Sequence, residues 1–584
     1  LEDDVILNNS RTRNGLCYVL RALLLLMATG QVFGNATLPG KIGTGGGAIS
    51  LGAPVVADWA EFRVLSGSIP VSGRGSAGSI SFTAHTVVDF SKRTVALENI
   101  TLGQVSNVTP ALERAVGDYL AESGASLGLD DLIGALPANF EVPQQAVAGP
   151  QLNFSPPRIV VSNRPMRLLL IDGPPAPVTI PATGIEFVVN TDWDVFHDKR
   201  GGAWYILDDG HWITNNFLSS GDWRRTAELP RDFLTLQVSS EWPQVAAAMP
   251  PVKSAEKPVP FTISYEPTEL VVIDGEERLE AIGGAGLHYV ANTESDLFIY
   301  GDRYYYLASG RWFYTKSLDR KWFAVKNLPD VFSEIPENHP RSRVLAAVPG
   351  TRAARQAMIE AAIPRTATVA IGTASELEIP YLGEPGFVEI QGTPLRRAEN
   401  TPFQVIRHNN FYYLCHEGAW YSSSQPQGPW DAARKVPEVI YSIPATDPAY
   451  NVTFVKLGSF DDSSGRAAYV STSGYYSAYY TGNSIVYGTG WYYPGYYHGS
   501  AYWRYPYTYG RYGWHGSYYG ASGPYWPHYN YHYSETVTID RTETDWQWDL
   551  DGNKRRVYNY GPQNYVGGEY VRPKSNIHNS DGSN

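Results

Sequence analysis

The chain has 584 residues, which is too long for one hydrophobic core and predicts about four domains of roughly 150 residues each. Hydrophobic residues make up 43% and charged residues 18%, a composition that excludes wholesale disorder and a multi-span membrane protein. The net charge of −12, without a long basic run, argues against nucleic acid as a partner. The 41 Tyr and 16 Trp against only 20 Phe favour interfaces and wet binding faces.

Residues 1–36 have the features of a secretory signal peptide. Arginines precede an apolar stretch from Ala22 to Ala36, which is shorter than the roughly 20 residues that cross a bilayer as a helix. Small residues before Ala36 predict cleavage near that position. We therefore expect export to the periplasm, the cell surface or the medium, with no transmembrane anchor in the mature chain. Cys415 is then the single cysteine left, which excludes disulfides and a Cys-based zinc site.

Residues 37–156 predict an α+β module. Alternating apolar residues from Ser79 to Leu102 predict two strands. Thr109 followed by Pro110 predicts the start of a helix that ends at Gly124, and a second helix is expected over 127–136. A G-x-S-x-G pattern surrounds Ser126, but a nucleophile elbow needs a preceding strand, and here a helix is predicted. Ser126 is therefore interpreted as the cap of the second helix.

Three copies of one pattern follow, at Val188–Pro230, Tyr289–Pro329 and Glu399–Pro437. Each has a Tyr-x-Leu strand, a Gly two residues before a Trp, a second Trp 10 or 11 residues later, and a Pro seven residues beyond it. Such self-similarity predicts tandem β-rich repeats, with bounds at 157–256, 257–363 and 364–457.

The aromatic residues of this pattern are the candidate ligand-binding residues. They are the first tryptophans Trp212, Trp312 and Trp420, the second tryptophans Trp223, Trp322 and Trp430, and the tyrosines Tyr205, Tyr305 and Tyr412. Exposed aromatic rings can stack on the apolar faces of sugar rings, which predicts a glycan-binding surface. The alternative is that they form the core of each module. The core is the preferred interpretation for the first Trp of each pair, and both interpretations stay open for the second.

Other chemistry-bearing residues give no catalytic motif. Two acidic pairs occur in equivalent places, Asp192 with Asp194 and Glu294 with Asp296. The third copy has Pro402 and Gln404 there, so these acids are expected to be solvated turn residues. His528 and His532 could bind a metal only on a helix, which their Tyr-rich surroundings disfavour. We expect no catalytic residue, no metal and no cofactor.

The segment 458–534 is rich in Tyr and Gly. Of the 41 Tyr, 21 lie between Tyr469 and Tyr533, where Asp, Glu and Lys are absent. So little aliphatic and charged content predicts self-association by stacking and β pairing. The remaining residues, 535–584, are polar and predict a disordered tail.

At the repeats the chain resembles a group of exported bacterial proteins. The resemblance is carried by GRWFYTKSLDRKWFAVKNLP, GAWYSSSQPQGPWDAARKVP, VLAAVPGT and YGTGWYYP. Some members of this group are labelled carbohydrate-binding family V/XII. The resemblance implies an exported protein of several repeats and, less specifically, a carbohydrate ligand.

The sequence thus predicts a multidomain, mainly β protein, with an N-terminal α+β module, three tandem β-rich repeats and a low-complexity aromatic segment. The first functional hypothesis is a non-enzymatic protein that binds cell-surface or envelope polysaccharide. The second is a structural or adhesive envelope protein that self-associates through Tyr469 to Tyr533. An enzyme of unknown type is a third.

Overall fold

A computed structural model describes residues 36–491, with gaps, and four short strands beyond them. The gaps are 39, 45–46, 74, 91, 124, 143–151, 172–173, 181, 189–190, 192, 209, 238–242, 285, 373–378, 380, 382–383, 400, 402 and 482–483. The predicted mainly β, multidomain class is confirmed. The chain forms two compact units, Leu1–Phe140 and Glu141–Asn584. No helix in the described part of the chain is both long enough and apolar enough to cross a bilayer.

The first unit is built on one sheet of eight strands. They are β1 (Ala36–Thr37), β2 (Gly40–Thr44), β3 (Gly47–Leu51), β4 (Val55–Ala60), β5 (Val64–Gly73), β6 (Ser76–Asp89), β7 (Thr94–Ser106) and β8 (Ala125–Gly128). The order is β1-β8-β7-β6-β5-β3-β2, and β4 also pairs with β5. The two strands predicted between Ser79 and Leu102 are the central pair, β6 and β7. Their alternating apolar residues, such as Ile80 and Val95, are buried.

Two helices accompany this sheet, α1 (Pro110–Ser123) and α2 (Leu129–Ala135). Thr109 caps the first as predicted, because its hydroxyl accepts a hydrogen bond from the Leu112 N–H at 3.4 Å. The expected role of Ser126 is wrong. Ser126 lies in β8, between β1 and β7, and the residue before α2 is Gly128, which makes no side-chain cap. A local helix signal was overridden here by sheet pairing.

The second unit contains three antiparallel sheets of six strands, each a meander in chain order. Repeat 1 has β11 (Pro177–Thr179), β12 (Ile185–Val188), β13 (Val195–Asp198), β14 (Trp204–Asp208), β15 (His211–Asn215) and β16 (Arg224–Arg225). Repeat 2 has β19 (Leu279–Ile282), β20 (Leu287–Val290), β21 (Leu297–Tyr300), β22 (Arg303–Ala308), β23 (Arg311–Thr315) and β24 (Phe323–Ala324). Repeat 3 has β26 (Phe387–Glu389), β27 (Arg396–Ala398), β28 (Gln404–His408), β29 (Phe411–His416), β30 (Ala419–Ser423) and β31 (Asp431–Ala432).

Short strands outside the meanders join the repeats to each other. They are β9 (Arg158–Ser162), β10 (Arg167–Leu170), β17 (Phe261–Ser264) and β18 (Thr268–Val272). β9 pairs in parallel with β18, and β10 with β17, so strands that precede the first meander pair with strands that follow it. Repeats 1 and 2 are therefore interlocked through their leading strands and are not separate beads.

Helices and further strands complete the second unit. The α-helices are α3 (Phe233–Gln237), α4 (Pro243–Ala247) and α5 (Arg352–Ala362). The 3₁₀ helices are Asp330–Glu334, Ser342–Ala347, Glu438–Ser442, Pro448–Phe454 and Ser473–Tyr476. The strands are β25 (Arg365–Ala370), β32 (Val455–Asp461), β33 (Arg466–Ser471), β34 (Ala478–Thr481) and β35 (Ser484–Tyr487). Beyond them lie two hairpins, β36 (Asp545–Trp548) with β37 (Lys554–Val557), and β38 (Tyr565–Val566) with β39 (Glu569–Tyr570).

Residues 458–491, assigned from composition to the Tyr/Gly-rich segment, are part of this fold. β33 is the central strand of a sheet with β25 and β32. Tyr469 is buried there, and its hydroxyl donates to the carbonyl of Ala433 at 2.7 Å. Tyr479 is also buried, next to Tyr450 and Phe454. These tyrosines act as core residues whose hydroxyls can be satisfied.

Asn153, which precedes the first repeat, contacts residues 489–490, which follow the third. The N–H of Asn153 donates to the carbonyl of Thr489 at 2.7 Å, and its side-chain amide donates to the carbonyl of Gly490 at 2.9 Å. The guanidinium of Arg311, in repeat 2, donates to the carbonyls of Asn153, Tyr487 and Gly488. These bonds close the array of repeats.

Candidate functional site

The first tryptophan of each repeat is a core residue, as preferred from the sequence. Trp212, Trp312 and Trp420 are at most 7% exposed. Each indole N–H donates to a backbone carbonyl 35 or 36 residues further along the chain, that of Ala248, Ala347 or Val455, at 2.8 to 3.2 Å. The tryptophan therefore fastens the segment that follows each meander onto the sheet.

The second tryptophans are buried as well. Trp223, Trp322 and Trp430 are 6%, 4% and 0% exposed, and they pack on the opposite face of each sheet from the first tryptophans. The ring of Trp223 lies 6.3 Å from that of Phe261, and the ring of Trp322 lies 6.0 Å from that of Tyr306. Of the two interpretations left open by the sequence, the structure places these side chains in the core. None of the six can present its ring to a ligand in this structure.

The three tyrosines of the repeat pattern are buried or half-buried, and Tyr412 is not at the position equivalent to the other two. Strand pairing sets Trp212 opposite Leu207, Trp312 opposite Leu307 and Trp420 opposite Cys415. Cys415 thus takes the position of the leucine, and the equivalent of Tyr205 and Tyr305 is Tyr413, not Tyr412. The third copy has one more residue between its leucine and its glycine, which shifted the pattern in the sequence. Tyr205 and Tyr305 are buried, and Tyr412 is half-buried beside Phe387.

The prediction that the acidic pairs are solvated turn residues is wrong for Asp296. Asp296 is 2% exposed and forms ion pairs with Arg341 at 3.3 Å and Arg343 at 2.7 Å. Its structural equivalent in repeat 3, Gln404, makes a hydrogen bond of 2.6 Å with Asn451. In repeats 2 and 3 this position therefore fastens the later part of the repeat to the sheet. Asp192 lies outside the described residues.

Repeat 1 has a buried ion pair of its own, between Arg167 and Asp208. Their side chains are 2% and 0% exposed, with Nε and Oδ1 3.0 Å apart, and Arg225 lies 3.6 Å from the same carboxylate. Repeat 2 has Glu269 and Ala308 in these two places, and Glu269 accepts a hydrogen bond from the Tyr306 hydroxyl at 2.9 Å. One position thus holds a cation in repeat 1 and an acid in repeat 2, and the other holds an acid and an alanine. Such variation is typical of buried groups that set a local packing arrangement rather than carry out a reaction.

Two titratable groups of repeat 3 are displaced by burial. His416 is the last residue of β29 and Glu417 lies in the turn to β30, with Nε2 and Oε1 3.9 Å apart. Burial lowers the pKa of His416 to about 4 and raises the pKa of Glu417 to about 7. Glu417 also has a positive φ of 49°, and no hydrogen-bond partner for its Oε1 is found among the described residues. Both groups therefore favour their neutral forms in the folded protein.

This burial predicts a pH dependence. Because the folded-state pKa of Glu417, about 7, lies above its ordinary value of 4.5, the stability that it contributes is complete below pH 4.5 and is lost as pH rises through 7. We expect Glu417→Gln to be as stable as the wild type at pH 4.5 and more stable above pH 7, by roughly 1 to 3 kcal/mol. Urea unfolding of both proteins across this range measures the difference. A difference that does not change with pH would contradict the expectation.

An aromatic cleft lies on the surface of repeat 1. Its volume is about 360 Å³, and its lining residues are Pro175, Pro177, Trp204, Asn216, Phe217, Leu218, Ser219 and Tyr265. Phe217 is 71% exposed and Tyr265 is 41% exposed, and both line this one cleft. Leu218 and Trp204 belong to the cluster that contains Trp223, so Trp223 supports the cleft from within.

Phe217 is not required by the repeat framework. Its N–H donates to the side-chain oxygen of Asn215 at 3.1 Å, and the same two-residue turn is made by Ser317 in repeat 2 and Gln425 in repeat 3. A serine and a glutamine therefore serve in the two equivalent turns. The exposed ring is specific to repeat 1, where it stands beside two other aromatic residues.

A charged cluster lies behind the cleft. The ring of His197 stacks on that of Trp204, with centroids 4.3 Å apart. His197 and Lys199 contact the carboxylate of Glu186 at 3.0 and 3.2 Å. Burial tends to raise the pKa of Glu186, but hydrogen bonds from His197 and Lys199 outweigh that effect and lower it. One ring face of Trp204 is thus covered by His197, and the residue also lines the cleft.

Comparison of the chain with protein-family models, with curated proteins and with solved structures finds no match. The chemistry therefore has to be argued from the residues. In the described part of the chain no group of three or more His, Cys, Asp or Glu could hold a metal ion. His528 and His532 lie outside that part. Phe217 and Tyr265 are not among the residues predicted from the sequence, although the difference between Phe217 and Ser317 in aligned copies is a signal that could identify the first of them.

Proposed function

We propose that this is a non-enzymatic polysaccharide-binding protein and that the aromatic cleft of repeat 1 is its binding site. The observation that carries the proposal is the exposure of Phe217 and Tyr265 beside Trp204 in one concave surface. The predicted ligand class is kept, but the rings that serve it are different from the six buried tryptophans.

The lining suits a sugar chain. Aromatic rings offer flat apolar faces on which the C–H face of a pyranose can stack, and rings already fixed by packing lose little entropy on binding. Asn216 and Ser219 line the same cleft and can exchange hydrogen bonds with sugar hydroxyls. The cleft is open and mostly apolar in its lining residues, which fits a chain passing across it better than a small polar metabolite enclosed in a pocket.

The test is retention on insoluble β-linked polysaccharides. We expect the wild-type protein to be retained on at least one of chitin, cellulose and peptidoglycan. The double variant Phe217→Ser and Tyr265→Ala should be retained at least about tenfold more weakly, because two stacking surfaces are lost. Its melting temperature should change little, since exposed positions usually contribute less than about 0.5 kcal/mol.

The matched control is Phe411→Ser in repeat 3. Phe411 is 53% exposed and lies outside the cleft, so this variant removes an exposed ring without changing the proposed site. It should be retained like the wild type. Failure of the wild type to bind any of the three polysaccharides, or equal retention of the double variant, would refute the proposal.

We propose further that the protein is exported and acts in the periplasm, at the cell surface or outside the cell. Support comes from the signal-peptide features of residues 1–36, which lie largely outside the described residues. The resemblance to exported proteins with aromatic repeats supports the same location.

A second candidate function is that of a structural or adhesive envelope protein. The observation that favours it is the composition of residues 492–533, which contain 15 Tyr and no Asp, Glu or Lys. These residues follow Trp491 and lie outside the described residues. In this proposal they join copies of the protein by stacking and β pairing.

A further inference from the structure

A second surface, on repeat 2, combines aromatic rings with cations. Tyr314 on β23 and Phe323 on β24 are paired across the sheet, with ring centroids 5.6 Å apart. The guanidinium carbon of Arg303 lies 4.8 Å from the centroid of Tyr314, and the Lys321 Nζ lies 5.9 Å from that of Phe323. We call these four residues the cationic strip. Phe323 is 49% exposed, so the strip faces solvent at this edge of the sheet.

The other two repeats show that the fold does not need this arrangement. Strand pairing makes Thr214 and Arg224 the equivalents of the two rings in repeat 1, and Ser422 and Asp431 their equivalents in repeat 3. The same register gives the equivalents of the two cations, which are Ala203 and Asp222 in repeat 1 and Phe411 and Pro429 in repeat 3. All four residues of the strip are thus specific to one copy of a shared framework. Their presence in one copy alone is better explained by a role in binding than by a role in folding.

The charge of residues 302–326, which span β22 to β24 of repeat 2, indicates the sign of the ligand. Residues 302–326 contain six basic and two acidic side chains, whereas the equivalent ranges contain two basic and three acidic (202–227) or one basic and two acidic (410–434). Of the six, Arg311 is buried and the other five are exposed. Asp302 pairs with Lys316 at 2.7 Å, more closely than with Arg303 at 3.8 Å, which leaves the Arg303 guanidinium available to a ligand. A local excess of positive charge in a chain of net charge −12 favours an anionic ligand.

We propose that the cationic strip binds saccharides that carry carboxylates, such as chains of uronic acids. The apolar face of a sugar ring would lie on Phe323, and the carboxylate would pair with Arg303 or Lys321. Only two cations flank the rings, whereas a nucleic-acid surface needs a groove of Lys and Arg that follows the phosphates. The strip and the cleft are separate sets of residues, so this proposal does not depend on the proposed function of the cleft.

The experiment titrates the full chain with trigalacturonic acid and, separately, with its methyl ester, by calorimetry. We expect the acid to bind and the neutral ester to bind at least about tenfold more weakly, with binding of the acid falling as salt is added. The double variant Tyr314→Thr and Phe323→Arg carries the residues of repeat 1. Its affinity for the acid should also fall about tenfold, although the variant gains a positive charge, because the stacking surface is gone. The double variant Arg303→Ala and Lys321→Ala should show an equal fall in affinity for the acid.

Arg407→Ala is the matched control. Arg407 lies 5.9 Å from the ring of Tyr412 in repeat 3, so its removal deletes a cation of the same kind while it leaves the strip intact. Binding should stay at the wild-type level, and melting temperatures of all variants should stay close to it. Equal affinity for acid and ester, unchanged affinity in the strip variants, or tighter binding of oligothymidylate would each overturn the proposal. The test uses a soluble charged sugar and the cleft test uses insoluble polysaccharides, so the two can fail separately.

Discussion

Replacement of Trp430 by alanine is expected to destabilise the folded protein by about 3 to 5 kcal/mol, and replacement of Trp322 by a similar amount. Both side chains are at most 4% exposed, so truncation removes buried apolar surface and leaves a cavity. Trp312 is the reference, as a core tryptophan of the same repeat as Trp322. Thermal and urea unfolding of the three single variants gives the comparison. A loss below about 0.5 kcal/mol at Trp322 or Trp430 would show that the ring is exposed in solution and restore it as a ligand residue.

Phenylalanine variants separate packing from hydrogen bonding. The indole N–H of Trp312 donates to the carbonyl of Ala347 at 2.9 Å, whereas that of Trp322 has no acceptor among the described residues. Trp312→Phe leaves a buried carbonyl unpaired, but Trp322→Phe removes a donor that was already unpaired. We expect the first variant to be less stable than the second by about 1 kcal/mol. The opposite order would contradict the assigned bonding.

Shortening the chain is expected to have the largest effect on stability of all, and the size of that effect depends on where the chain is cut. A protein that ends after Trp491 should melt at the temperature of the full chain, because the described residues beyond that point form only two hairpins paired within themselves. In a protein that ends after Gly465, the second unit should fail to unfold cooperatively. It lacks β33, the central strand between β25 and β32, and the buried residues Tyr469 and Tyr479.

The same two proteins test self-association. If residues 492–533 join copies of the chain, the protein that ends after Trp491 should be monomeric at concentrations at which the full chain is associated, as measured by sedimentation. A full chain that is monomeric at high concentration would refute the structural hypothesis. Wild-type melting of the protein that ends after Gly465 would show instead that β33 is dispensable. Deletion from Tyr469 onward would mix the two effects, because it also removes core residues.

Local features of the fold were predictable because they depend on neighbouring residues. The alternation of Ile80 and Phe82 predicted a strand, and Thr109 before Pro110 predicted a helix start. The repeated Gly and Trp predicted three β modules because a shared turn leaves the same mark in each copy. The interlocking of β9 with β18 was not predictable, since parallel pairing across a whole repeat leaves no mark in either strand.

The site was less predictable than the fold. A tryptophan in a Gly-rich turn has the same sequence pattern whether its ring points into the core or to solvent, and Trp430 proved to be buried. Exposure could instead be inferred where aligned copies differ. Phe217 faces Ser317 in that alignment, and Phe323 faces Arg224. A large apolar side chain in the core is instead expected to be matched by an apolar residue in the other copies, because a small polar side chain there leaves a cavity and an unpaired group.

The bonds from Asn153 to Thr489 and Gly490 fix the number of copies. An open array of repeats can lengthen by duplication, because each new copy meets the same surface as the last one. Here the beginning and the end of the array are bonded to each other, so a fourth copy could enter only by separating them. Change in such a protein is confined to what the three copies display on their outer surface. Phe217 and Phe323, each present in one copy alone, are changes of that kind.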